Sequence, residues 1–295
     1  MASRVATLVL SGGGAKGAFE VGAEHVLREE KGYTWDRIFG VSVGALNAAL
    51  LAQREYQRLK DIWFSIRQED VYRKFGWFGV AWRIAVLRKL GAYDNKPLMD
   101  LIRRNCEGRQ FQIPAHVGRV SLTTGNYSTV GSDDPNFLFA VWESATMPII
   151  WECIGEKAYV DGGLRNVTPL GDALHFSPAE IVVVALSPNK VEPAPYPTSI
   201  IDVATRSLTD ITIDEILKND IDNFVRINDL VKQAEAAGLK LKKPKKTPTD
   251  PDKFYAYCPI TVIRPLEPLG DSLDFSQESI RARYQKGEEA ARKVS

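Results

Sequence analysis

Residues 40–44, Gly-Val-Ser-Val-Gly, constrain this chain more than any other stretch. The run before them, Tyr33 to Phe39, is apolar enough for a short strand, and Ala45 to Ala52 after them is a strong helix former. A serine at a strand-to-helix turn, with glycine two residues away on each side, makes a sharp nucleophile elbow. Side chains at the two glycine positions would collide with strand or helix. Without them Ser42 stands at the apex of the turn, facing solvent at the helix N-terminus. There the helix dipole and free backbone N–H groups favour developing negative charge. The plain alternative is a glycine-rich turn whose serine only caps the helix.

A second stretch bears on that choice. Residues 5–10, Val-Ala-Thr-Leu-Val-Leu, suit a buried strand and are too short to span a bilayer. Ser11-Gly12-Gly13-Gly14-Ala15-Lys16-Gly17 follows, then a helix from Ala18 to about Glu30. Three glycines at a strand end let the backbone approach a ligand and aim its N–H groups outward. A P-loop is excluded, because no Gly-Lys-Ser/Thr follows at the required spacing. A dinucleotide site is disfavoured, because Gly40 and Ser42 stand where a ribose-binding acid would end the second strand. An oxyanion hole, with donors placed where an ester carbonyl becomes negative, fits the loop better. The third stretch, Ala158-Tyr159-Val160-Asp161-Gly162-Gly163, puts an acid at the end of a short strand. An ordinary Asp-Gly turn is the alternative there.

Taken in order, the three stretches resemble the signature of the patatin-like phospholipases: G-G-G-x-[RK]-G, then G-x-S-x-G, then D-G-[GA]. Gly12 to Gly17, Gly40 to Gly44 and Asp161 to Gly163 fill it without departure. Ile38 to Ala49 is similar to the family's extended elbow, and Glu143 to Pro148 to its Ser-Ala-x-x-Pro stretch ahead of the acid. The likeness covers roughly residues 4–190 well and the C-terminal hundred loosely. It implies a three-layer α/β/α fold with a mainly parallel central sheet, and a serine lipid acyl hydrolase acting on phospholipids or lysophospholipids. Ser42 would be the nucleophile and Asp161 its proton acceptor, a Ser-Asp dyad. Gly12, Gly13 and Gly14 would form the oxyanion hole. Gly40, Gly44, Gly17, Gly162, Gly163 and Lys16 would support the loops, Lys16 by holding the oxyanion loop or steering a phosphate. No cofactor or metal is implied.

The histidines bear on the same question, since the base in Ser-His-Asp enzymes is histidine. His25 lies in the first helix, His116 follows Pro114-Ala115, and His175 precedes Phe176-Ser177-Pro178. None stands in the C-terminal region where an α/β-hydrolase holds its histidine, so structural or surface roles are expected. Two enzymes share the dyad's chemistry, a lipid transacylase and a general carboxylesterase. An idle protein with a glycine-lined anion or lipid site is the alternative of another class.

The order strand, glycine loop, helix, strand, elbow helix independently implies a parallel α/β sheet, with the site at the strand C-termini. One patatin-like unit over 1–295 is expected, with a catalytic core at about 4–190. An aromatic-rich helical insertion at about 56–110 and an extension at about 199–295 complete it. Within the insertion, Trp63, Phe64, Tyr72, Phe75, Trp77, Phe78 and Trp82 interleave with Arg67, Arg73, Lys74 and Arg83. Most of these aromatics read as packing on the sheet. Phe75 to Gly79 reads as an exposed loop tip that enters lipid. Further along, a hairpin turns at Gly125-Asn126, Asn136 to Thr146 forms a helix, and residues 188–198 form a proline-rich loop. Ile211 to Ala237 is a long amphipathic helix, Phe254 to Ile263 a strand, and Ser276 to Lys293 a helix capped by Ser276. Five lysines between Lys240 and Lys246 read as an exposed loop that could meet anionic headgroups.

Composition excludes some classes. With 38 Lys and Arg against 37 Asp and Glu, the net charge of +1 gives no general pull toward nucleic acid or membrane. Cys106, Cys153 and Cys258 lack metal-ligand spacing and read as reduced, packed thiols. Nothing approaches the roughly 18 apolar residues of a bilayer span, and the short apolar run near the N-terminus is no signal peptide. A cytoplasmic protein with at most transient membrane-surface contact is expected, binding lipid and no nucleic acid.

Overall fold

The computed structural model describes residues 4–188, 196–244 and 252–294. The chain opens with β1 (Arg4–Leu10), α1 (Ala18–Glu29), β2 (Tyr33–Val41) and α2 (Val43–Ala52). The insertion holds α3 (Tyr56–Ser65), α4 (Gln68–Val71), α5 (Trp77–Ala85), β3 (Gly91–Tyr93) and α6 (Lys96–Cys106). Next come β4 (Ala115–Ser121), β5 (Tyr127–Gly131), α7 (Phe137–Ser144), β6 (Ile149–Trp151), β7 (Tyr159–Asp161), α8 (Leu170–Leu174) and β8 (Ile181–Val184). The chain ends with α9 (Ile200–Thr205), α10 (Ile213–Ala236), β9 (Ile260–Ile263) and α11 (Gln277–Lys293).

The main sheet runs β5-β4-β2-β1-β8-β9. From β4 to β9 every pairing is parallel; β5 and β7 pair with β4 antiparallel. The central strands β1 and β8 show no alternation of polar and apolar residues, because helices cover both faces. Ala6 to Leu10 and Ile181 to Val184 are accordingly buried. Steps from β1 to β2 to β4 move one way across the sheet, and the step to β8 returns the other way. Right-handed crossovers then place α1 and α2 on one face and α8 on the other. The long α10 packs beside α8, and α11 packs on α1. That contact is close because both helices carry glycine there: a Cβ on Gly22 or on Gly287 would lie 2.0 Å from a carbonyl of the facing helix.

One register change positions the site. β4 pairs with β2 as far as Val41↔Gly118, and from Arg119 onward it pairs on with β7, Arg119 facing Asp161. Asp161 therefore takes up the sheet position where β2 leaves off, and the residue after Val41 is Ser42. The sheet itself brings the two together.

Three sequence expectations change. Phe75 to Gly79 is no loop tip: Gly76 is the N-cap of α5, and Trp77 starts the helix. Gly76, Trp77 and Phe78 stay exposed all the same, while Phe75 and Gly79 are half-buried. The strand expected from Phe254 is shorter, since only Ile260–Ile263 joins the sheet and Pro259, with no N–H to give, stands directly before it. Ser42 does not face open solvent; it is 6% exposed and lines a cavity. Of the proline-rich and lysine-rich loops, residues 189–195 and 245–251 lie outside the described residues. Within them the described Lys242 pairs with Asp252 at 2.7 Å.

Candidate active site

Ser42 adopts φ 57° and ψ −126°, a conformation that costs a non-glycine residue on the order of 1–3 kcal/mol. The turn is as tight as the motif requires. A Cβ on Gly40 would come within 2.2 Å of the Gly44 carbonyl oxygen, and one on Gly44 within 2.6 Å of the Leu10 carbonyl oxygen. The Ser42 N–H donates to Ser144 Oγ at 3.0 Å, and Ser144 is fully buried. This anchor was not assigned from the sequence, although Ser144 lies in the Ser-Ala-x-x-Pro stretch noted above. It fixes the strained elbow and occupies the nucleophile's own amide, so donors for an oxyanion must come from elsewhere.

The glycine loop supplies candidates. Gly12 lies against Ser42: a Cβ there would stand 3.1 Å from Ser42 Cβ. Gly13 packs on Leu186, whose own N–H is held at 3.1 Å by Ser11 Oγ. Gly14 has φ +59° and no room, since its Cβ would meet the Ser272 carbonyl oxygen at 2.4 Å. Among the described residues no acceptor takes the N–H of Gly12 or Gly13. Gly17 lies beneath Val43 and Trp63. Lys16 is mostly buried and pairs with Asp210 at 3.7 Å, which ties the loop's end to the π-helical segment Arg206–Thr212 that leads into α10.

Asp161 is 1% exposed. Its N–H donates to the Thr146 carbonyl at 2.8 Å, and its Oδ1 accepts the Gly163 N–H at 2.8 Å. Gly162 abuts the Gly118 carbonyl, so the chain turns away from β4 at once. Oδ2 is buried with no hydrogen bond formed, yet the Ser42 hydroxyl lies near enough to act on the carboxyl's pKa. Slack of this kind is common before substrate tightens a catalytic pair. Burial pushes the Asp161 pKa from 3.8 up to about 6, with the Ser42 hydroxyl and the Gly163 N–H pulling back. A buried carboxylate of that basicity can take a proton from a hydroxyl better than an ordinary aspartate.

From Ser42 an apolar cavity opens, walled by Leu50, Leu59, Trp63, Leu98, Ile102 and Trp151. Mouth included, it holds about 1020 Å³ of empty space. Beneath α2, Trp63 Nε1 donates to Asn47 Oδ1 at 2.9 Å, and Asn47 Nδ2 donates to the buried Glu20 at 2.8 Å. The insertion's Trp63 is thereby pinned to the elbow helix.

None of the histidines lines this cavity. His25 sits 4.0 Å from Glu288, and His175 follows α8 as its C-cap. His116 stacks on Phe39, lies tilted against Phe176 and bonds Arg37 at 2.8 Å, with burial pulling its pKa down. Among the described residues no group of three or more His, Cys, Asp or Glu could hold a metal ion.

A family profile described as Patatin-like phospholipase matches residues 8–174, more than half of the chain. The chain belongs to the patatin-like phospholipase family. Its members are lipid acyl hydrolases, and the mixed α/β architecture with its mostly parallel sheet agrees with that family's fold. Among solved structures, VipD from Legionella pneumophila matches at 13% identity and a TM-score of 0.44. That match takes in 97% of this chain and 66% of VipD, so the chain spans just under two thirds of that protein's length. No curated protein matches. No helix among the described residues is long and apolar enough to cross a membrane.

Proposed function

We propose that the chain hydrolyses carboxylic ester bonds of phospholipids or lysophospholipids through a Ser42–Asp161 dyad. The observation that carries this reading is the open Oδ2 of a buried, basic Asp161 beside Ser42 at the head of an apolar cavity. The acyl chain occupies the cavity and sets the ester carbonyl against Ser42. Ser42 Oγ attacks the carbonyl carbon while its proton passes to Asp161 Oδ2. The oxyanion is held by glycine-loop N–H groups, Gly12 and Gly13 first, each donor lowering the barrier by about 3 kcal/mol. Asp161 returns the proton to the leaving alcohol, and the bond from carbonyl carbon to alcohol oxygen breaks. Water, activated by the same carboxylate, then releases the fatty acid from Ser42. Lys16, held by Asp210, supports the loop.

Protonated Asp161 cannot accept the Ser42 proton. The kcat/KM for a soluble ester is therefore expected to fall about tenfold per pH unit below a midpoint near 6, and to level off above it. A flat profile between pH 5 and 8 would remove Asp161 as the base.

Contact with the lipid surface falls to α5. Trp77 and Phe78 are 71% and 72% exposed, and no residue of this otherwise apolar helix is buried. Replacing Trp77 and Phe78 by serine is expected to cut release from phospholipid vesicles about tenfold while sparing a short-chain soluble ester. Equal losses on both substrates would instead mark the two rings as part of the fold's packing.

A further inference from the structure

We infer that Arg283, on α11, positions the glycine loop for the oxyanion, so that the C-terminal segment completes the active site. The inference rests on the reading of Ser42 as nucleophile given above. Arg283 lies 109 residues past the end of the family match (283 − 174), where no motif points to it.

The geometry is specific. Arg283 is 3% exposed, and its guanidinium donates to four backbone carbonyls. Three belong to one turn before α11: Nε to Leu269 at 2.8 Å, Nη2 to Asp271 at 2.8 Å and Nη1 to Asp274 at 2.7 Å. The fourth is the carbonyl of Ala15, 3.2 Å from Nη1. The same turn reaches Ala15 from its other side, where the Ser272 carbonyl accepts the Ala15 N–H at 2.7 Å. Both backbone polar groups of Ala15 are thus held by residues 269–283. Ala15 directly follows Gly12, Gly13 and Gly14, and Gly14 is already pressed against the Ser272 carbonyl at φ +59°. The turn also gives Ser272, Leu273 and Phe275 to the cavity wall.

A buried cation is costly unless its donors are met, and this one is met by carbonyls of two segments, with the Asp274 carboxylate 4.0 Å from Nη2. The planar fork is what allows it. Five N–H donors in fixed directions serve the turn and the loop together, which a lysine ammonium cannot do. Oxyanion donors work only when already aimed at where the charge develops, so a loop free to drift loses catalysis before it loses substrate. Arg283 touches no reacting atom; it acts through Ala15.

The test uses the full chain with Arg283→Lys and Arg283→Ala, with Ser42→Ala in parallel. Hydrolysis of a soluble ester, fluorophosphonate labelling of Ser42 and amide exchange at Ala15 are followed on each. Positioning predicts at least about a tenfold fall in kcat with KM within about twofold, slower labelling, and faster exchange at Ala15. Added guanidinium should restore part of kcat to Arg283→Ala and none to Ser42→Ala. If Arg283→Ala does not fold, Arg283→Lys carries the same readouts. Wild-type kcat and unchanged Ala15 exchange in folded Arg283→Lys would overturn the inference. So would loss of stability with kcat per folded molecule intact. If instead Ser42→Ala hydrolyses the ester like the wild type, the reading of Ser42 itself has failed; inactive Ser42→Ala beside fully active Arg283 variants rejects the Arg283 role alone.

Discussion

Asp161→Asn is expected to lose at least about a hundredfold in kcat/KM while keeping or gaining thermal stability at pH 8. The two effects have one cause. Burial raises the Asp161 pKa from 3.8 to about 6, so the folded protein binds this proton more tightly than the unfolded chain does. The sign follows from that: below about pH 4 the carboxyl is neutral in both states and costs nothing. As pH rises through 4 to 6 the unfolded chain ionises first and the folded state loses relative stability. Above 6 the cost is complete, on the order of 3 kcal/mol. Asparagine keeps the shape and the acceptor for Gly163, removes the buried charge, and can point its amide at the Ser42 hydroxyl. It cannot take the Ser42 proton. Ser42→Ala should lose as much activity but keep the loss of stability with rising pH and carry it to higher pH, because Asp161 remains and the hydroxyl that pulls its pKa back is gone. Thermal melts at pH 5 and pH 8, run beside ester hydrolysis, check both. Activity within tenfold of wild type in Asp161→Asn would mean that another group takes the proton. A lower melting temperature at pH 8 would mean that the charge is held by contacts that stabilise it.

That opposition between activity and stability shows which parts of the site sequence can carry. Ser42, Asp161 and the glycines were legible because each sits in a short local pattern whose turn chemistry excludes other residues. Their meeting was not, since it depends on β4 exchanging β2 for β7 between Gly118 and Arg119, a register that no local pattern encodes. Ser144 and Arg283 were missed for a related reason. A serine in a helix and an arginine in a charged C-terminal helix look ordinary until distant backbone groups turn out to face them. The error at Phe75 to Gly79 runs the other way: two glycines read as a loop, but Gly76 caps α5 and Gly79 is absorbed within its first turn. Local glycine chemistry is decisive at the elbow because backbone lies on every side, and indecisive at α5, where Gly76 has nothing within 4 Å and Gly79 meets only the Phe75 side chain.

Gly40→Ala and Gly171→Ala turn that contrast into a measurement. At Gly40 an added Cβ would stand 2.2 Å from the Gly44 oxygen, 2.4 Å from its carbon and 2.7 Å from the Ala45 nitrogen. All three are backbone atoms of the elbow, which cannot withdraw without moving Ser42 off its bond to Ser144. Gly40→Ala is expected to destabilise by at least about 3 kcal/mol, the upper range for overpacking, and any folded fraction should be at least about a hundredfold less active. At Gly171, inside α8, nothing lies within 4 Å of the added Cβ. There the same chemical change should stabilise by about 0.5–1 kcal/mol and leave activity untouched, because alanine loses less backbone freedom on entering a helix. Denaturant unfolding and ester hydrolysis on both variants decide the matter. Equal stability of the two would mean that the elbow yields, and the rigid turn that holds Ser42 in its strained conformation would have to be abandoned.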